Sequence, residues 1–267
     1  MHTRASLVCD LRRLGVGAGD VVMVHASLRA VGPVLGGADA LIEAALEAAA
    51  PGGTMMMYVG CDAPFDDVGR IAFDPADEAL ILEHCPAFDP ATARACRAFG
   101  ALAEAFRTHP GVACSANVGG RMAAKGQRAD WLLAPHSLDW GYGPGTPMAR
   151  LVEAGGRVLL LGSDRDQVTL LHYAETIAPV ADKRTARYRA PLLEDGRRVW
   201  REVVEHDTSE GVRPWPDRYF ATIVEAFLAG GQGARGRVGG AESLLLDAAP
   251  LVAFAVARMV RDAPLCR

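Results

Sequence analysis

The feature that most constrains this chain is an apolar run, a helix-length segment and a second apolar run in succession near its start. Asp20-Val-Val-Met-Val-His25 reads as a strand, closed by the polar Ser27. Ala38 to Ala50 has helical character and is stopped by Pro51-Gly52-Gly53, and Thr54 to Val59 is apolar again. A helix of that length between two strands suits a parallel crossover, which in turn calls for helices packed on the faces of a sheet.

The remaining segments extend that pattern. Ala5 to Leu14 reads as a helix ended by Gly15 and Gly17. Phe88-Asp89-Pro90 has the grammar of a helix start, with Asp89 as N-cap, and predicts a helix to about Thr108. Short helices are expected around Ala129 to Ala134 and Met148 to Ala154, with the Tyr142-Gly-Pro-Gly-Thr-Pro147 loop between them. Gly156-Arg-Val-Leu-Leu-Leu-Gly162 is a buried strand. Tyr188 to Leu193 and Arg197 to His206 form a hairpin across Glu194-Asp195-Gly196, and helices follow at about 217–228 and 248–260. The expected fold is a single α/β domain over 1–267. It has a central mixed, partly parallel sheet flanked by helices, and an antiparallel β extension in the C-terminal third.

Composition narrows the function classes. A chain of 267 residues, 50% hydrophobic, can bury a sizeable core, yet no run of 18 apolar residues appears. The first residues hold no uninterrupted apolar stretch such as a secretory signal needs, so a cytoplasmic protein without membrane association is expected. Its six cysteines are scattered without a C-x-x-C pair and read as free thiols. A net charge of −4 argues against a nucleic-acid partner. Between Gly60 and Pro90 eight acidic residues face one basic residue, Arg70. That stretch reads either as a solvated, loop-like acidic insertion or as an electronegative wall that draws in a polycation.

Chemistry concentrates after the strand ending at Gly162, where a polar loop leads into a helix beginning near Asp166. Ligands gather at such strand ends. Thr169, His172 and Glu175 are spaced to fall close to one helical face. A histidine early in a helix is held towards its neutral form by the helix dipole, as a general base requires. Glu175 is placed to orient the ring, stabilise the imidazolium or hold a cationic substrate. An ordinary surface His/Glu pair has the same spacing. No second ligand pair stands nearby, so no metal is expected. The end of the first strand, His25 to Gly32, is followed by Gly36 and Gly37, and offers Arg29 and backbone amides to a phosphate. Dinucleotide, Walker and G-x-S-x-G patterns are missing.

Several segments, in order along the chain, together resemble the aminoglycoside 3-N-acetyltransferase family. They are His25-Ala-Ser-Leu with Val31-Gly32, Pro51-Gly-Gly-Thr54, Phe88-Asp-Pro90, Tyr142-Gly-Pro-Gly-Thr-Pro147, Leu159-Leu-Leu-Gly162, Thr169-Leu-Leu-His-Tyr-Ala-Glu175, Asp207-Thr-Ser and Arg237-Val-Gly-Gly. The resemblance implies acetyl transfer from acetyl-CoA to the 3-amino group of the 2-deoxystreptamine ring of aminoglycoside antibiotics, giving resistance. It implies His172 as base and Glu175 as partner of His172 or of a substrate amine. Acetyl-CoA would lie along His25, Ser27, Leu28, Arg29, Val31 and Gly32, with Thr169 near the thioester and Ser115 as a further contact. Asp62, Asp89, Glu205 and Asp207 are candidates for the sugar's ammonium groups. One departure stands out: the family's Ser-x-His-Pro element is Ser115-Ala-Asn117-Val118 here. Two other readings remain open, an acetyltransferase of the same fold acting on another amine and a non-catalytic binder of cationic sugars. The chain is expected to be a monomer or homodimer.

Overall fold

The computed structural model describes residues 1–209 and 211–263. The chain opens with α1 (Arg4–Leu14), capped by Thr3 and Ser6 in a reciprocal pair of hydrogen bonds. The central strand β1 (Val21–Ala26) follows, then the single turn α2 (Leu28–Val31), the crossover helix α3 (Gly37–Ala48) and β2 (Thr54–Tyr58). β1 and β2 pair in parallel, as the first two apolar runs predicted.

The acidic stretch is not a plain loop. Asp74 caps a helix, α4 (Pro75–His84), with Pro75 in its first turn. The helix expected from Asp89 is replaced by irregular turns, and α5 (Ala101–Thr108) begins only after Gly100. Asp89 does cap a turn, accepting from the Ala91 amide at 2.9 Å and the Thr92 hydroxyl at 2.7 Å. Arg121, fully buried, competes for the acceptors of that turn by donating to the carbonyls of Pro90 and Ala93.

Two further strands, β3 (Ala113–Cys114) and β4 (Met122–Gly126), are short and alanine-rich, which hides them from a β-propensity reading. Next come α6 (Ala129–Leu133), α7 (Pro147–Glu153), β5 (Arg157–Leu161) and α8 (Leu170–Ile177). The hairpin β6 (Thr185–Glu194) and β7 (Arg197–His206) forms a separate two-stranded sheet. Then α9 (Tyr219–Ala229), β8 (Ala234–Val238), β9 (Ala241–Asp247) and α10 (Ala248–Asp262) complete the described chain. β8 carries Arg235, Gly236 and Arg237 at an exposed edge, so no alternation marked it beforehand.

The seven-stranded sheet runs β3-β4-β2-β1-β5-β9-β8, with β2 and β5 parallel to β1 and the other pairs antiparallel. Alternate residues of each central strand feed two cores. Met23, Leu160 and Leu246 pack with Leu170, Leu171, Ile223 and Leu251 on one face. Val22, Val24, Leu159 and Leu161 pack with Leu7, Leu41, Ile42 and Phe106 on the other. A third cluster, with Phe65, Phe88, Val118, Tyr188 and Val203, seats the hairpin on the acidic segment. The chain leaves β1 towards β2 on one side while β5 lies on the other, which opens a crevice at their carboxyl ends. Gly162 closes β5 at φ +62, where an added Cβ would stand 2.3 Å from that of Ala30.

Cys9, Cys61, Cys85, Cys96 and Cys114 are free thiols, whereas Cys266 lies outside the described residues. Among the described residues no helix is long and apolar enough to cross a membrane.

Arg121 ties the acidic segment to β4 by donating to the carbonyls of Gly60 at 3.1 Å and Ala93 at 2.8 Å as well as Pro90. Arg121→Met should therefore strand three acceptors and lower stability by about 3 kcal/mol. Urea unfolding is the check, and a loss below about 0.5 kcal/mol would show that the segment holds itself.

Candidate active site

His172 stands in the first turn of α8, with Thr169 at the N-cap position, as the spacing predicted. Its Nδ1 lies 2.8 Å from Oε2 of Glu175, one turn on. Glu175 is 0% exposed, and its Oε1 accepts from the Trp215 indole at 2.7 Å and the Val212 amide at 3.2 Å. With Nδ1 donating to this acceptor, Nε2 keeps the lone pair and is the basic nitrogen. Both oxygens of Glu175 are thereby engaged, with Oε2 on the His172 side. The imidazole is flanked by the rings of Tyr142 at 5.2 Å and Phe220 at 4.9 Å.

Two hollows meet at His172. One, of about 420 Å³, opens at the carboxyl ends of the central strands and is lined by His25, Tyr58, Phe99, Ser163, Thr169 and His172. The other, of about 700 Å³, lies under the 211–220 segment and is lined by Glu175, Arg184, Trp215, Asp217, Phe220 and His172. Asp166, Thr208 and Ser209 line both. A base at the junction of two cavities can serve a reaction between two bound molecules.

The residues expected to hold acetyl-CoA divide. His25 and Thr169 line the first hollow. Burial pushes the His25 imidazole down to about 4, so the ring is neutral there at physiological pH. Ser27 spends its side chain capping α2, accepting from the Ala30 amide at 3.3 Å. The Val31 and Gly32 amides donate to the Ser27 and Leu28 carbonyls at 3.1 Å each. That leaves the Leu28 and Arg29 amides as the open donors of the turn, beside the exposed Arg29 side chain. Val31 is fully buried, and its carbonyl accepts from Gly240 at 2.9 Å.

Ser115 does not face either hollow. It is 2% exposed, and its hydroxyl accepts from the Met122 amide at 3.0 Å and meets His136 Nδ1 at 2.9 Å. Asn117 likewise spends its amide on the Ser137 and Leu138 carbonyls and the Gly120 amide. The stretch that departs from the family pattern is an internal brace.

Nor are the four expected carboxylates gathered around His172. Asp62 and Asp89 line a separate hollow of about 310 Å³, and Asp62 is held by Arg97 at 2.8 Å. Glu205 is buried in an ion pair with Arg70, whose guanidinium also lies 4.1 Å over the Tyr188 ring. Asp207 sits beside the hollow-lining Thr208 and Ser209. Burial opposes its ionisation, but hydrogen bonds from the Ser209 hydroxyl at 2.6 Å and amide at 3.1 Å outweigh that and leave its pKa lowered. Arginines also meet the acidic segment elsewhere, as in Arg189 with Glu78 at 2.9 Å. It is therefore partly neutralised.

Sequence reasoning missed Asp166, Thr208, Ser209, Trp215 and Phe220 as lining residues. The Asp207-Thr-Ser resemblance signalled the middle pair. Nothing local signals Trp215, whose partner Glu175 is 40 residues away.

Comparison with known proteins points to one family. A profile of the aminoglycoside 3-N-acetyltransferase family matches residues 23–260. Aminoglycoside N(3)-acetyltransferase III of Pseudomonas aeruginosa is 44% identical over 96% of this chain and 92% of its own. Aminoglycoside N(3)-acetyltransferase VIII of Streptomyces fradiae is 43% identical over 95% and 90%. The solved structure of AAC-IIIb in binary complex with CoASH superposes with a TM-score of 0.92 at 42% identity, covering 98% of this chain and 97% of that one. Sisomicin-bound AAC-VIa gives 0.90 at 40% identity, covering 98% of both chains.

The buried histidines predict an acid limit. Burial lowers His136 from 6.5 to about 4, against the pull of its hydrogen bond to the Gly141 carbonyl. The unfolded chain therefore takes up this proton first. The stability is intact above 6.5 and is lost as pH falls towards 4, by about 3 kcal/mol. Urea midpoints measured from pH 7 to 4.5 should fall more shallowly for His136→Gln than for the parent. Identical slopes would remove His136 as the cause.

Proposed function

The chain belongs to the aminoglycoside 3-N-acetyltransferase family, and from that premise we propose direct acetyl transfer with His172 as the general base. Like its relatives it is an acetyl-CoA-dependent acyltransferase that acetylates aminoglycosides and so confers resistance. The observation that carries the mechanism is the position of His172, where two hollows meet, with Nδ1 held by a buried carboxylate.

Acetyl-CoA occupies the strand-end hollow, past Thr169 and His25, with the Ser27–Gly32 turn at its mouth. The aminoglycoside occupies the second hollow, its 3-amino group towards His172 and further ammonium groups near Asp166, Asp207 and Asp217. Nε2 takes a proton from the amine as its nitrogen attacks the thioester carbonyl. The new C–N bond forms, the tetrahedral intermediate collapses, and the C–S bond breaks. The departing CoA thiolate then takes the proton from the imidazolium. Glu175 holds the ring in its tautomer and stabilises the transient cation, and Trp215 and Val212 fix Glu175 in turn. Tyr142 and Phe220 limit the ring to one orientation.

Thiol release from acetyl-CoA across a panel of aminoglycosides is the direct assay. Release with none of them would sink the proposal. His172→Ala should lower kcat by roughly 10²–10⁴-fold while calorimetry shows acetyl-CoA still bound. Near-parental turnover in that variant would remove His172 as the base. Glu175→Gln, which offers Nδ1 an ambiguous partner, should lower kcat by about 10²-fold or more with little change in acetyl-CoA affinity. An unchanged kcat would make the carboxylate dispensable.

A further inference from the structure

Direct acyl transfer passes through a tetrahedral carbon whose carbonyl oxygen takes on negative charge, and a base acting on the amine proton leaves that oxygen without a donor. The carbon forms where the two hollows meet, since the amine arrives from one and the thioester from the other. Besides His172, the residues that line both hollows are Asp166, Thr208 and Ser209. Asp166 is a carboxylate whose Oδ1 accepts from the Ala221 amide at 3.0 Å. An anion there favours an ammonium and opposes an oxyanion. The Ser209 hydroxyl is spent on Asp207 at 2.6 Å. Thr208 is left. It is half-buried, and its hydroxyl has no hydrogen-bond partner among the described residues.

The other hydroxyls of the strand-end hollow are engaged or confined to it. Tyr58 donates to the Gly119 carbonyl at 2.8 Å, and Tyr142 donates to Tyr58 at 3.2 Å. Ser163 and Thr169 line the first hollow but not the second. Thr208 is also held in place relative to the base. Its carbonyl accepts from the Gly211 amide at 3.3 Å, and Asp207 before it caps the turn by accepting from the Ser209 amide at 3.1 Å. Gly211 adopts φ +79, where an added Cβ would stand 3.3 Å from Oε1 of Glu175, and the next amide, Val212, donates to that oxygen. Glu175 therefore anchors both the imidazole and the turn that carries Thr208.

Resting on the acetyl-transfer reading above, we propose that the Thr208 hydroxyl is the donor that stabilises the oxyanion of the tetrahedral intermediate. As the amine nitrogen bonds to the carbonyl carbon, the C=O electron pair moves to oxygen, and Thr208 donates a hydrogen bond to it while keeping its proton. On collapse the pair returns, the C–S bond breaks and the thiolate takes the proton held by His172. The alkoxide carries more charge than the thioester oxygen, so this bond strengthens in the transition state and raises kcat more than it tightens binding. A threonine that only shaped the turn would affect folding and affinity, not kcat alone.

Thr208→Val keeps the size of the side chain and removes the hydroxyl. With both substrates saturating, kcat should fall about 10²-fold, while calorimetry shows CoA and aminoglycoside bound as in the parent and the urea midpoint is kept. Thr208→Ser should recover most of the loss. Near-parental kcat in the valine variant, or a serine variant equally slow, would overturn the proposal. S-methylphosphonyl-CoA, a charged tetrahedral mimic, reads the same contact without turnover. Relative to CoA, the valine variant should bind it about tenfold more weakly than the parent does, and equal ratios would likewise overturn the proposal. A parent protein that releases no thiol with any aminoglycoside would sink the acetyl-transfer reading, while the mimic titration would still judge Thr208.

Discussion

A carboxylate with no exposure to water has to be surrounded by donors, and Glu175 is the one around which this site is built. Its three donors come from different parts of the chain: His172 on α8, the Val212 amide and the Trp215 indole. Satisfying the buried charge therefore draws the 211–216 segment onto α8. That closure shapes the second hollow and leaves His172 as the point it shares with the first. The requirement that stabilises Glu175 also sets the tautomer of the ring beside it. Folding energetics and the geometry of the His172–Glu175 pair are here one arrangement.

Two arginines do comparable work farther out. Arg121 is buried, its terminal nitrogens donating to the carbonyls of Gly60, Pro90 and Ala93 and its guanidinium lying 5.9 Å from the Phe88 ring, while its Nε has no partner among the described residues. It holds the irregular acidic segment against β4 and competes for the acceptors of the turn that Asp89-Pro90 begins. Arg70 pairs with Glu205 and stacks on Tyr188, joining the same segment to the β6–β7 hairpin. Gly119 lies under that contact, where an added Cβ would stand 2.9 Å from the Tyr188 hydroxyl. Its carbonyl accepts from Tyr58 at 2.8 Å, and Tyr58 in turn accepts from Tyr142 at 3.2 Å. The hairpin anchor thus reaches the ring that flanks His172. Within the segment Asp62 pairs with Arg97 and Glu78 with Arg189, and Asp74 and Asp89 cap turns, so part of its acidity is spent on internal contacts.

What could be read in advance had local causes. The parallel crossover followed from two apolar runs with a helix between them, the hairpin from alternation around Glu194-Asp195-Gly196, and the His172–Glu175 pair from helical spacing. The strands β3, β4 and β8 escaped because alanine, glycine and arginine carry no strand periodicity. They are strands because a neighbour supplies the ladder. Ser115 and Asn117 looked available because polar side chains in a loop usually are. In the folded chain their capacity is consumed by His136, Met122, Ser137 and Gly120.

The sequence by itself determined the α/β order, the cavity-bearing end of the central strands and the histidine with its carboxylate. Each of these depends on residues a few positions apart, whose relation is set by helical or strand periodicity. Only the tertiary structure decided that Glu175 is sealed behind His172, that Asp62 and Asp89 belong to another hollow, and that Thr208 shares both hollows with His172. Those outcomes rest on contacts between residues tens of positions apart. Periodicity does not encode them, and packing and the pairing of buried charge do.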